Sequence, residues 1–238
     1  MILGVIGAMS VEVQTLKDAM EDVYVTRIAE MEFYKGVLSG VRVVVVQCGV
    51  GKVNAAMCTQ ILCTAFGVTH IVNTGIAGAL LAELEIGDMV VGVGAFQHDF
   101  DCTAFGYMRG EIPGLPMLFY ADNKLAYYAT RAVEQVHGRR LMQGCVASGD
   151  QFVSGTSSKA TIRECGYSAC VEMEGAAIAQ VAFRNSVPFV IIRCISDKAD
   201  SSAEIDYPMF EKKTAEKCAQ VVIEFTKQLS AAMLGGAM

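Results

Sequence analysis

Apolar residues along this chain fall into two alternating patterns: compact runs dominated by Val and Ile, and longer segments whose apolar positions recur every three or four residues. The compact runs predict strands at residues 2–6, 33–38, 42–47, 70–73, 88–93, 141–147, 169–172 and 188–195. Several are continuous, such as Val43-Val44-Val45-Val46, as expected where both faces of a sheet are covered. The longer segments predict helices at residues 10–20, 52–66, 122–135, 157–165, 173–185 and 207–234. In the last, Phe210, Ala215, Cys218, Val221, Val222, Phe225 and Leu229 form a stripe suited to lying on a sheet. Strand and helix alternate throughout, which implies an α/β fold, a three-layer α/β/α sandwich around a central mixed sheet. No repeat, low-complexity tract or linker interrupts the pattern, so residues 1–238 are expected to form one domain.

Composition narrows the class. Hydrophobic residues make up 53% of the 238 positions against 18% charged, with mean hydropathy +0.40, which excludes a disordered or fibrous chain. Nineteen Lys and Arg against 25 Asp and Glu leave a formal charge of -6, the wrong sign for a dedicated nucleic-acid binder. Residues 53–82 carry no formal charge, but Asn54, Gln60, Asn73 and repeated glycines interrupt them, so no membrane span is expected. The nine Cys form no C-x-x-C pair and mostly sit in apolar runs, as small buried hydrophobes do in a reducing compartment. The N-terminus lacks the basic start of a signal peptide, and the cytoplasm is the expected location. His98-Asp99-Phe100-Asp101 offers metal donors, but with three His in the chain and no second ligand cluster no metal is expected.

In α/β sheets ligands gather where strands end in glycine-rich turns. Three such turns are predicted, at Gly4-Val5-Ile6-Gly7-Ala8-Met9, Gly49-Val50-Gly51-Lys52 and Thr74-Gly75-Ile76-Ala77-Gly78. None completes a dinucleotide fingerprint or a P-loop, which sets aside NAD and ATP. Acids stand at the ends of these apolar runs. Glu12 follows the first strand, Glu174 opens a helix, and Asp197 closes the last strand. Glu12 and Glu174 could equally cap helices. Asp197, after a long β-branched run, is placed to be desolvated and to hold a proton. Arg193, the charge within that run, requires a buried partner, and a structural ion pair and a site role both fit it. Phe152, beyond Ser148-Gly149-Asp150-Gln151, is either core or a platform for a flat base.

Taken together, Gly7-Ala8-Met9 with Glu12, Gly49-Val50-Gly51-Lys52, Asn73-Thr74-Gly75 with Ala77-Gly78, Asp101 through Tyr107, Ser148-Gly149-Asp150, Val171-Glu172-Met173-Glu174 and Ser196-Asp197-Lys198-Ala199-Asp200 resemble the 5'-methylthioadenosine/S-adenosylhomocysteine nucleosidases of the purine nucleoside phosphorylase superfamily. The resemblance runs in order from residue 1 to about residue 230 and implies a nucleoside phosphorylase-like fold. It implies hydrolysis of the N-glycosidic bond without a cofactor. Asp197, oriented by Ser196, would protonate adenine N7; Phe152 would stack on the purine and the Val153 backbone would pair with its edge. Glu12 would take a proton from water attacking C1', with Arg193 holding that water, and Glu174 beside Met173 would accept the ribose hydroxyls. Met9, Val50, Cys102, Phe105, Tyr107, Pro113 and Tyr207 would line an apolar pocket for the 5' substituent. The segment from Cys102 to Pro113 would come from a second copy, making a homodimer part of the site.

Three positions depart from the family pattern: Ile76 where Ser is common, Ala79 where Gly is frequent, and Tyr207 where Phe is common. Other readings stand beside this one: an aminodeoxyfutalosine nucleosidase, a phosphate-dependent nucleoside phosphorylase, and a non-catalytic purine-binding protein. The first turn has no Lys or Arg to hold phosphate, and binding alone would not call for Glu12.

Overall fold

The computed structural model describes residues 1–137, 141–166 and 168–236. Along the chain run β1 (Leu3–Gly7), α1 (Ser10–Asp18), β2 (Glu21–Ile28), β3 (Met31–Leu38), β4 (Val41–Gln47), α2 (Lys52–Ala65), β5 (His70–Ala79) and β6 (Met89–Gln97). After a short 3-10 turn at Thr103–Phe105 come β7 (Phe119–Tyr120), α3 (Asn123–His137), β8 (Leu141–Ser148), α4 (Thr156–Cys165), β9 (Ser168–Glu172), α5 (Gly175–Arg184), β10 (Phe189–Asp197) and α6 (Ala203–Leu234).

The strands form one mixed sheet in the order β10-β6-β8-β9-β5-β1-β4-β3-β2, with β7 beside β6. β10 also pairs with β5, so the first five strands of that order close into a ring from which the other four extend. β1 lies parallel to β4 and β5, and β5 parallel to β10, which brings the C-terminal ends of β1, β5 and β10 to one edge.

Alternation along each strand builds the two outer layers. On β1 and β4, Leu3, Val5, Val43 and Val45 join the core beneath α1, α3 and α6, which also buries Leu16, Leu125 and Phe225. Their neighbours Ile6, Val44 and Val46 point the other way, into the core that holds Leu62 of α2 and Ile178 of α5. The continuous Val run is therefore read correctly as a strand covered on both faces. A third cluster, with Phe96, Val153, Ile162 and Ala199, fills the space next to α4.

The structure corrects four expectations. Residues 74–78 are not a turn: β5 continues through them to Ala79, because its glycines are demanded by side chains that approach the strand, as described below. β2 escapes an apolar pattern because it is the sheet's edge and stays exposed along nearly its whole length. α6 begins four residues before Tyr207 and runs through Pro208, whose missing N–H falls in its first turns. α5 begins at Gly175, leaving Met173 and Glu174 outside the helix. Among the described residues no helix is long and apolar enough to cross a membrane. None of the nine cysteines forms a disulfide, and Cys48, Cys58, Cys170, Cys194 and Cys218 are buried.

Candidate active site

At the shared edge of β1, β5 and β10 lies a cleft. It is lined by Met9, Glu12, Val50, Met173 and Glu174 together with Phe152, Val153, Ser196, Asp197 and Tyr207. Ten of the residues singled out in the sequence thus meet in one cavity. Arg193 lies beneath it, fully buried and in ionic contact with its acids. Cys102, Phe105, Tyr107 and Pro113 do not line this chain's own cleft; Phe105 is 81% exposed.

Glu12 sits in the first turn of α1, and its carboxylate does cap: Oε2 accepts the N–H groups of Ala8 (2.7 Å) and Met9 (3.0 Å). Its other oxygen crosses to β5, where Oε1 accepts the Ile76 N–H at 3.1 Å and stands 4.0 Å from Arg193 Nη1. Burial raises its pKa, against the opposing pull of Arg193 and those N–H donors.

The capping reading of Glu174 fails. Although Glu174 precedes α5, it is Glu172 that accepts the N–H groups of Glu174 and Gly175, and Ser148 Oγ that accepts the N–H of Ala176. Glu172 is also hydrogen-bonded to Ser148 and is the direct ion-pair partner of Arg193. Relieved of capping, Glu174 turns into the cleft: Oε1 accepts the Gly51 N–H at 2.8 Å, and Oε2 stands 3.9 Å from Arg193 Nη2. Burial and the neighbouring Glu172 push its pKa up. Glu172 is the site residue that the sequence reading did not single out. The signal was present, since the unpaired Arg193 demanded a buried acid, but two acids stand within three residues and only chain direction separates them.

The guanidinium of Arg193 faces three carboxyls, those of Glu172, Glu12 and Glu174, and also bonds Asn73 Oδ1. Burial alone would lower its pKa; the three acids outweigh that and raise it. Such a group needs room. A Cβ on Gly75 would come within 2.1 Å of Arg193 Nη1 and 2.4 Å of Glu12 Oε1, and one on Gly78 within 2.8 Å of Asp197 Oδ1. The glycines of β5 are space for buried charge, not turn residues.

Asp197 ends β10, away from that cation. Its Oδ1 accepts the Ala199 N–H and its Oδ2 the Ser196 hydroxyl, each at 2.8 Å. Burial raises its pKa above the ordinary carboxylate range despite these two donors, and the nearby Asp206 and Asp200 add to the rise. Across the mouth Tyr207 packs its ring edge-on to Phe152, centroids 5.3 Å apart, and its hydroxyl donates to Met9 Sδ at 3.2 Å. Ile76 puts an aliphatic side chain into the cleft, and no Lys or Arg is among its lining residues. Among the described residues no cluster of His, Cys, Asp or Glu is arranged to hold a metal ion.

Fold and site together define a member of a nucleoside-cleaving class: residues 2–229 match the family model of the phosphorylase superfamily, and the chain belongs to that family. It is 40% identical over 229 residues to the 5'-methylthioadenosine/S-adenosylhomocysteine nucleosidase of Staphylococcus carnosus, covering 96% of this chain and all of that one. The crystal structure of the same-named nucleosidase from Neisseria meningitidis, in complex with methylthio-immucillin-A, superposes with a TM-score of 0.93 at 41% identity, covering 95% of this chain and 99% of that one. Futalosine hydrolase of Helicobacter pylori is similar at a TM-score of 0.91 and 31% identity, covering 95% of this chain and 97% of that one.

A carboxyl whose pKa is raised on folding contributes its stability in full below the ordinary value, about 4, and loses it as pH climbs through the raised value. Asp197 is in that position. Asp197→Asn is therefore expected to unfold at a temperature at least as high as the parent's at pH 8, with the margin shrinking toward pH 4. A variant less stable than the parent at pH 8 alone contradicts the buried, proton-retaining environment.

Proposed function

We propose that this chain is a hydrolase that cleaves the N-glycosidic bond of 5'-methylthioadenosine, S-adenosylhomocysteine and 5'-deoxyadenosine, giving adenine and the 5'-substituted ribose. One observation carries the reading: three of the cleft's acids gather on Arg193, whereas Asp197 stands apart, beside further negative charge. The buried carboxyl that is not paired with Arg193 is assigned as the proton donor, and Glu12, beside Arg193, as the base.

The chemistry follows that division. As the bond from C1' to the base nitrogen breaks, its electron pair moves onto adenine and positive charge develops on the sugar. Asp197, held by Ser196, gives its proton to N7, so the base leaves neutral. Phe152 stacks on the purine, with its ring steadied by Tyr207, and the Val153 backbone reads the base edge. Water adds to C1' from the other side and passes a proton to Glu12. A base with a raised pKa is matched to proton transfer near neutral pH. Glu174, beside Met173, accepts the ribose hydroxyls, two donors that favour its ionised form at the moment of binding. Arg193 stabilises Glu12 and Glu174 as anions and helps hold the water.

The absence of Lys and Arg from the described lining supports water rather than phosphate as acceptor. Similarity to a futalosine hydrolase keeps aminodeoxyfutalosine, another adenine nucleoside with a bulkier 5' group, as the second reading. Met9, Val50 and Tyr207 supply an apolar start to a 5' pocket. The remainder is proposed to come from Cys102, Phe105, Tyr107 and Pro113 of a second copy in a homodimer, a reading supported by the solvent-exposed Phe105 and Met108 on the segment after β6. One continuous sheet from which the site's strands, helices and loops spring supports a single nucleosidase domain over residues 1–238, and we propose that it works in the cytoplasm.

Incubation with 5'-methylthioadenosine is expected to release adenine at the same rate with and without phosphate; a strict phosphate requirement makes the chain a phosphorylase. Asp197→Asn and Glu12→Gln are each expected to lower kcat by at least about 10², and near-full activity in either removes the mechanism. Sedimentation is expected to give a dimer, and Phe105→Ala to raise KM for 5'-methylthioadenosine; an active monomer indifferent to that change contradicts the shared pocket.

A further inference from the structure

Outside the cleft, Lys52 makes two ion pairs, with Asp99 and, at 3.9 Å, with Asp150, and these tie together the two loops that grip the proposed substrate. Asp99 lies just beyond β6, and its carboxylate is shared between them. Oδ1 accepts Lys52 Nζ at 2.6 Å, and Oδ2 accepts the backbone N–H of Asp150 at 2.9 Å. Asp150 reaches back, its Oδ1 accepting the Lys52 N–H at 2.8 Å, so it caps the start of α2. Lys52 Nζ donates as well to Gln97 Oε1 at 3.0 Å, and Gln97 in turn donates to Gln180 of α5 at 2.6 Å. The Lys52–Asp99 pair is largely sheltered, with side chains 17% and 22% exposed.

Each loop tied by Asp99 carries a substrate contact. The turn at residues 49–52 holds Gly51, whose N–H is the donor to Glu174, and Gly51 has a positive φ of 96° that leaves its N–H aimed by the loop alone. The loop at residues 149–153 holds Phe152 and Val153. Its own root is tightly fitted: His98, the neighbour of Asp99, is buried against Gly149 so closely that a Cβ there would lie 2.3 Å from the ring's Nε2. The carboxyl of Asp99 is held below its ordinary pKa, because the Lys52 ammonium and the Asp150 N–H together outweigh its burial.

We propose that Asp99 is a positioning residue for nucleoside binding: by clamping Lys52 and the Asp150 backbone with one carboxylate, it sets the spacing between the ribose grip at Glu174 and the base platform at Phe152. The proposal rests on the nucleosidase reading. Because Asp99 touches neither Asp197 nor Glu12, its work falls on how well the substrate is held, and small displacements of such groups are costly.

The test is steady-state hydrolysis of 5'-methylthioadenosine by the full-length parent, the near-isosteric Asp99→Asn and Lys52→Met, and the double variant. Each single change is expected to raise KM at least about fivefold with kcat within about twofold of the parent. The double variant is expected to be no worse than the weaker single one, since both remove the same clamp. KM within about twofold of the parent in both singles, or single effects that multiply in the double, overturns the proposal. So does a fall in kcat at constant KM, the mark of a smaller folded fraction. An active parent with unmoved KM in the variants sinks the clamp alone, whereas a parent that releases no adenine sinks the nucleosidase reading beneath it.

Discussion

A single guanidinium, buried in the middle of the last strand, organises this molecule. Arg193 cannot be taken out of water unless acids surround it, and acids cannot surround it unless the neighbouring strand gives way. Both conditions are met at one point on the sheet. Glu12 of α1, Glu172 at the end of β9 and Glu174 just before α5 converge on Arg193, and β5 presents a Gly where any side chain would collide with the guanidinium and with Glu12. The charge cluster, the glycine-bearing strand and the helix start at Glu12 are thus one solution to one desolvation problem.

The same cluster divides labour among the carboxyls. Within it, three acids share one cation: Glu172 caps α5 and is the direct partner of Arg193, while Glu12 and Glu174 approach Arg193 at 4.0 and 3.9 Å. Asp197 stands outside the cluster, held by the Ser196 hydroxyl and the Ala199 N–H, and burial raises its pKa. In the proposed reading, acid and base are told apart by position: Glu12 lies against Arg193, and Asp197 does not.

Much of this was legible in the sequence, for identifiable reasons. The Val43 to Val46 run and the β-branched stretch ending at Asp197 announce strands covered on both faces, and an Arg inside such a run announces a buried ionic partner. What escaped was whatever tertiary approach alone decides. The glycines at 75 and 78 look like a turn because a local reading assigns glycine to the backbone, whereas here it answers to side chains more than 60 positions away in sequence, Arg193 and Glu12 for Gly75 and Asp197 for Gly78. Glu172 and Glu174 were indistinguishable until the direction of α5 showed which one could reach its first N–H groups. β2 carries no burial pattern, since an edge strand exposed along its length needs none. The four residues of the 5' pocket between Cys102 and Pro113 came from resemblance alone, and no contact within one chain brings them to the cleft.

If Asp197 is the proton donor it carries a proton before substrate arrives, and infrared difference spectroscopy between the ligand-free parent and Asp197→Asn at neutral pH reads that proton directly. The parent is expected to show the C=O stretch of a protonated carboxylic acid that the variant lacks, with the remaining carboxyl bands unmoved. If instead the substitution removes only carboxylate bands, Asp197 is ionised before substrate arrives, and the separation of acid from base around Arg193 is wrong.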